Sequence, residues 1–221
     1  DIDALRAQVA LLQRRAAGHA ALGSAVGKLH DELNAIRGAL SKRDVWLVAG
    51  FILFWTFSPS FGPALMYYQT DHLKFSQQFI GVLGSLTAAS AMVGAFIYAP
   101  VSRRVPLKWL IVSAIGVATL ATLGYLLYRD ATSAVLIELV FGCIAMMTQL
   151  AFLELAAKAC PRGVEATFFA LLMSVYNLGT QGSQITGGYL YDQFGYTLLV
   201  LVSAGMTALA FALVPLVRID R

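Results

Sequence analysis

Charge is what this chain has least of: 13% of its 221 residues are Asp, Glu, Lys or Arg, about half the share found in an ordinary soluble domain. Cysteine and histidine are scarce too, at two and three residues, and His19, His30 and His72 lie too far apart to suggest a metal site. Cys143 and Cys160 would stand about 25 Å apart along one straight helix, which excludes a disulfide between them. No P-loop, dinucleotide fingerprint or nucleophile elbow occurs. Without a Ser–His, paired-Asp or metal-ligand set, an enzyme is the least supported class, and no cofactor, metal or nucleic-acid partner is expected. The chain opens on Asp1 with no basic, short-apolar leader before its first long apolar run, so it reads as a fragment or a processed piece.

Apolar residues fill the space that charge leaves. They make up 58% of the chain, against about 45–50% in soluble domains, and they come in six runs: Val45–Tyr68, Phe79–Pro100, Leu107–Tyr128, Ala134–Ala157, Thr167–Leu190 and Tyr196–Val217. Each is long enough to cross a hydrocarbon core of about 30 Å at 1.5 Å per residue. The expected fold is all-α: a polytopic membrane protein with six transmembrane helices over 45–217, consecutive helices antiparallel because the connections are short. Residues 1–44 form a basic segment with apolar residues at helical spacing (Ile2, Leu5, Val9, Leu12; Leu22, Val26, Leu29, Leu33, Ile36, Leu40), expected to be an amphipathic helix or hairpin resting on a neighbour. Residues 218–221 are a short tail. Lys42 and Arg43, Arg103, Arg104 and Lys108, Lys158 and Arg162, and Arg218 and Arg221 all fall on one side, with only Lys74 and Arg129 on the other. The positive-inside rule makes the first side, with both termini, cytoplasmic.

The runs differ in polarity. The third and sixth hold no charged or amide side chain between their ends and are expected to face lipid. In the fifth, Thr167, Ala170, Ser174, Asn177, Gln181, Gln184 and Gly188 form one stripe at spacings of three and four. An amide left unsatisfied in hydrocarbon costs a few kcal/mol, so Asn177, Gln181 and Gln184 should meet water, a solute or another helix. Gly179, Ser183 and Gly187 form a neighbouring stripe suited to close helix packing. In the fourth, Glu138, Gly142, Ala145 and Gln149 share a face. A carboxylate inside a membrane span marks a functional site by default, whereas the position of Glu138 one turn from the run's end favours an interfacial group reaching water or pairing with Arg129. Glu154 and Lys158 are spaced for an i,i+4 ion pair. In the first run Pro59 and Pro63 loosen the helix, and Thr56, Ser60, Pro63 and Tyr67 align on one face. Tyr68, at its edge, fits an aromatic belt.

Two blocks carry a family resemblance. Pro59-Ser60 through Tyr67-Tyr68, Leu73-Lys74-Phe75-Ser76 and Phe79-Ile80-Gly81 resemble the seventh and eighth helices of folate–biopterin transporters, a branch of the major facilitator superfamily. Lys158-Ala159-Cys160-Pro161-Arg162-Gly163-Val164-Glu165-Ala166-Thr167, followed by Phe169 through Asn177, resembles the same family more specifically. Over Val45 to Val217 the resemblance implies the C-terminal six-helix half of a twelve-helix carrier, built from two inverted three-helix repeats. The basic segment would be the loop between halves, and the missing N-terminal half would hold the proton-coupling groups. It further implies uptake of a folate or pterin by alternating access across a bacterial inner membrane. On this reading Ser60, Tyr67, Glu138, Gln149, Asn177, Gln181 and Gln184 are the candidate substrate or cavity residues, with Tyr67 and Tyr68 stacking on a flat ring. Pro59, Pro63, Glu154, Lys158 and Glu165 are candidate structural or gating residues. The alternatives are a facilitator carrier of another solute, such as a peptidoglycan fragment or an organic anion, and a non-transporting membrane assembly protein, which would have a dry, filled centre.

Overall fold

The computed structural model describes residues 22–31, 33–38, 40–41, 43–59 and 62–216. Among these residues all regular structure is helical. After helical turns over 22–31 and 33–38, the elements are α1 (Arg43–Thr56), α2 (Gly62–Tyr67, running into a π turn at Tyr68–His72), α3 (Gln77–Ser102), α4 (Leu107–Gly124, ending in a 3₁₀ turn at Tyr125–Leu127), α5 (Ala131–Ala159) and α6 (Glu165–Leu213). Four helical stretches, Gln77–Ser102, Leu107–Leu127, Ala131–Ala159 and Glu165–Leu213, are long and apolar enough to cross a membrane. Their exposed faces carry Phe96, Leu120, Val140 and Ile185, an apolar surface that water does not solvate well. The chain is an integral membrane protein.

Local chemistry sets the boundaries. Ser76 caps α3 by accepting from the Phe79 backbone N–H at 3.2 Å. Asp130 and Ser133 form a reciprocal capping box at the start of α5, the Ser133 N–H reaching Asp130 Oδ1 at 2.7 Å and the Asp130 N–H reaching Ser133 Oγ at 3.0 Å. α5 stops at Ala159, before the Cys160-Pro161 step that disfavours helix. Gly163, at φ 89°, then turns the chain into α6.

The fifth and sixth predicted runs join without a loop. α6 is 49 residues long and leaves helical geometry only at Gly195, where φ is 78°, a conformation that glycine reaches without steric cost. Ser183 in the first arm donates to the Ser58 carbonyl, and Ser58 Oγ donates to the Ser203 carbonyl in the second arm at 3.1 Å. In a straight helix Ser183 and Ser203 would be about 30 Å apart. Their meeting at Ser58 shows that the second arm folds back along the first.

The first run departs from expectation. It breaks over 57–59 and resumes only at Gly62, with Pro63 in the first turn of α2, where its missing N–H costs nothing. The face predicted from Thr56 to Tyr67 is therefore interrupted, because 57–59 are not helical, and its Ser60 lies outside the described residues. In the basic segment, Ile2 to Leu12 lie outside the described residues, as does the 218–221 tail. Leu22, Val26, Leu29 and Leu33 are exposed; Ile36 alone of that series packs inward, against Val45, Val164 and Phe168.

Close packing follows the small residues. On α3 and α5, a side chain at Gly94 would strike the Cys143 carbonyl, and one at Gly142 would strike the Thr87 carbonyl and Ser90 Oγ. On α6, Gly179 abuts Thr56 of α1 and Gly182 abuts Phe57. The predicted Gly179, Ser183, Gly187 stripe is the buried face of that arm. The third and sixth runs pack on each other where Gly116 meets Phe211, and both expose apolar residues, among them Trp109, Leu120, Leu201 and Leu209. The sixth is not wholly lipid-facing in character: Ser203 and Thr207 are buried and turned toward Ser58.

Candidate functional site

Two apolar clusters occupy opposite ends of the bundle. One gathers Phe51, Ile52, Ile111, Ile115, Phe152 and Leu155; the other gathers Leu83, Tyr125, Tyr128, Tyr196 and Leu199 with Tyr68 against them. Between them lies an open cavity of about 440 Å³, within the range of small-molecule sites. Its wall is drawn from α1 through the second arm of α6. Trp55, Phe141, Phe152 and Tyr176 give aromatic surface, and Ser58, Thr148, Gln149, Thr180, Ser183 and Thr207 give polar groups. Trp55 and Phe152 already stack, with ring centroids 4.6 Å apart. A second, apolar pocket of about 400 Å³ lined by Leu120, Leu136 and Val140 carries no comparable polar set.

Glu138 sits at the end of this cavity beneath the tyrosine cluster. Its side chain is buried, at 8% exposure, and lines the cavity wall. Thr87 Oγ1 donates to Oε2 at 2.8 Å and the Tyr128 hydroxyl approaches Oε1 at 3.5 Å. Gln69 Nε2 donates in turn to the Tyr128 hydroxyl. The expected Arg129 partner is absent: Arg129 is exposed, and the hydroxyls of Thr87 and Tyr128 take its place. Position along the helix suggested an interface; the tyrosines closing over that end make it an interior.

The other candidates separate. Gln149 is on the cavity wall. Pro59 is buried and also lines it, while Ser60 lies outside the described residues. Tyr67 is 61% exposed and off the cavity. Tyr68 is no belt residue: it stacks on Tyr196 at 4.0 Å and donates to the Tyr128 carbonyl at 3.3 Å. Neither tyrosine presents a free face to the cavity, so the aromatic lining comes from Trp55 and Tyr176 instead. Asn177 and Gln181 are exposed and Gln184 half-buried, none of them on the cavity wall. The reason is the rotation that Gly179 and Ser183 impose by docking on α1. Positions 177 and 181, two residues earlier, fall about 160° around the helix from that contact.

Of the structural candidates, Glu154 and Lys158 form the ion pair that their spacing suggested. Lys158 Nζ meets Glu154 Oε1 at 2.8 Å, and the Tyr98 hydroxyl donates to Glu154 Oε2 at 2.6 Å, which ties α3 to α5. Glu165 opens α6. Hydrogen bonds from its own backbone N–H and that of Gly163 hold its exposed carboxyl below the usual range, the favourable arrangement at a helix N-terminus. Cys143 and Cys160 are both free thiols. Sequence reasoning missed Tyr176, Thr180 and Thr207, since hydroxyls and a lone tyrosine inside apolar runs are usually satisfied by their own helix. Gln69, next to Tyr68, is also buried.

Comparison with known proteins agrees with this architecture. The model of the BT1 family matches residues 7–218, so the match takes in most of the basic segment as well as the apolar runs. The folate-biopterin transporter of Synechocystis sp. is 31% identical over 176 residues, covering 75% of this chain and 36% of that protein. The probable folate-biopterin transporters 4 and 2 of Arabidopsis thaliana are 29% identical over 147 residues and 28% over 175, covering 62% and 73% of this chain and 30% and 35% of their own length. The chain thus spans about a third of the curated relatives it matches. On the extent of the family match and the similarity to these carriers, the chain belongs to the BT1 family of folate–biopterin transporters.

Proposed function

We propose that this chain is the C-terminal, six-span half of a major-facilitator carrier that moves folate or pterin-type solutes by alternating access, coupled to protons. α1 with α2, α3, α4, α5 and the two arms of α6 are the six crossings, in two inverted three-helix repeats. The ends near Arg43, Arg103 and Arg162 face the cytoplasm, and the tyrosine cluster faces outward, across a bacterial inner membrane.

The observation that carries this reading is the open, mixed aromatic and polar cavity of about 440 Å³. A filled centre would have favoured an assembly protein. Trp55 and Tyr176 are suited to the flat face of a pterin, and Gln149, Thr148 and Thr180 to its donor and acceptor edge. The exposed amides of Asn177 and Gln181 support the second half of the claim. Facing hydrocarbon they would each cost a few kcal/mol, so a protein surface covers them, and the missing N-terminal half is the natural occupant. Uptake of radiolabelled folic acid by the full-length protein in a transport-deficient cell tests the substrate. Saturable uptake that unlabelled pterin suppresses and a sugar does not is expected; no saturable uptake with the protein in the membrane would refute the assignment.

A further inference from the structure

The tyrosine end of the cavity holds a group that substrate recognition alone does not explain. Glu138 is a buried carboxyl on a cavity wall, and among the described residues no lysine, arginine or histidine pairs with it, the Glu154–Lys158 contact being at the opposite end of α5. Its partners are hydroxyls: Thr87 at 2.8 Å and Tyr128 at 3.5 Å, with Ser90 Oγ on its backbone carbonyl at 3.5 Å. Hydroxyls can serve a carboxyl in either state, donating to the anion or accepting from the neutral acid. A cation would hold it in one state. Protonation of such a site leaves no unpaired buried cation behind, and the anionic form is held by hydroxyl donors alone.

The surroundings are equally suited to proton exchange. The titratable groups facing Glu138 are Tyr125 and Tyr128 from the end of α4 and Tyr196 from the second arm of α6; α3 offers only hydroxyls. Beyond them, Tyr68 stacks on Tyr196 and against His72, with Asp71 beside it, and Arg129 and Asp130 are exposed on the rim next to Tyr128. The tyrosine cluster therefore lies between the carboxyl and that end of the bundle, while the carboxyl's other side opens to the cavity.

We infer that Glu138 is the proton-carrying group of the transport cycle, placed in this half and not in the missing one. It takes a proton from water reaching it at the tyrosine end, Glu–COO⁻ becoming Glu–COOH, and returns that proton to water in the cavity when the carrier faces the other way. The inference rests on the transport reading above.

The test uses the full-length carrier in proteoliposomes with radiolabelled folic acid, comparing wild type, E138Q and E138D. In wild type an inwardly directed proton gradient, acidic outside, drives accumulation, and labelled folate also exchanges without a gradient. E138Q, which keeps the size of the side chain and cannot take up a proton, should lose the response of folate accumulation to the gradient, so that the ratio of gradient-driven accumulation to exchange falls to that seen without a gradient; E138D should keep the wild-type ratio. A wild-type ratio in E138Q would overturn the inference. Infrared difference spectra of the purified proteins on acidification decide independently of substrate. A carboxyl C=O band that shifts in D₂O should appear in wild type and E138D and be missing in E138Q; an unchanged band in E138Q overturns the proposal. Folate flux absent from wild type with the band present would refute the substrate and leave the proton site standing.

Discussion

Replacing Gly142 with alanine should separate α3 from α5, and the size of the effect can be set against an internal control. The added methyl would meet the Thr87 backbone carbonyl and Ser90 Oγ. A serine hydroxyl can rotate away, but a backbone carbonyl can move only with its helix. Overpacking of this kind costs about 1–3 kcal/mol, and the backbone contact places G142A at about 3. Alanine also gains about 1 kcal/mol over glycine in any helix interior, so the net loss is about 2. Gly84 and Gly205 are exposed helical positions with nothing within 4 Å of an added Cβ; G84A and G205A should keep only the gain. At about 2–4 °C per kcal/mol for a domain of this size, G142A should melt about 6–12 °C below the G84A and G205A controls. Purified full-length variants followed by thermal unfolding in detergent give the comparison. G142A melting with the controls would refute the close-approach argument. G94A, aimed at the adjacent Cys143 carbonyl, should behave like G142A, and the double variant should cost less than the sum, since both open the same seam.

Three further outcomes follow from the same contacts. S183A removes the donor to the Ser58 carbonyl, where three helical pieces meet, and should lower stability by about 1–3 kcal/mol, read as a fall in melting temperature. Q149A takes one hydrogen-bonding group from the cavity wall; a loss of about 1.4 kcal/mol raises KM for folic acid uptake about tenfold, and an unchanged KM would remove Gln149 from the site. Backbone and side-chain hydrogen bonds from Ser133 hold the Asp130 carboxyl below the ordinary carboxylate range. Its contribution to stability is therefore full above about pH 4 and is lost as pH falls through the lower folded value. D130N should flatten the acid limb of the stability profile, and an acid limb identical to wild type would show that the cap is not felt.

Much of this was legible in the sequence because a bilayer leaves few choices. Hydrocarbon demands long apolar helices, so run length alone found α3, α4 and α5 to within a few residues. The Glu154–Lys158 pair and the Gly179, Ser183, Gly187 stripe followed from spacing, since both lie on one helix. What depends on a second helix was not legible. The amides of Asn177 and Gln181 form a clear stripe, but periodicity gives a face without saying which neighbour it meets, and the glycine stripe decided the rotation. Glu138 stood among the candidate cavity residues and lines the cavity, but its partners were not legible for the same reason: the tyrosines that close over it, in place of Arg129, come from three other segments. The break between α1 and α2 was signalled by Pro59 and Pro63, though the two prolines alone could not say that the helix stops instead of bending.

Gly195 has a mechanical consequence. Because only one residue leaves the helical conformation between the two arms of α6, that corner has no slack: a displacement of 165–194 is passed to 196–213 with no flexible tether to absorb it. Both arms are pinned to Ser58, at the point where the chain between α1 and α2 is itself broken. The corner at Gly195 and the break that follows α1 thus share one contact, and a push delivered at either end of α6 would be felt first at Ser58, on the wall of the cavity.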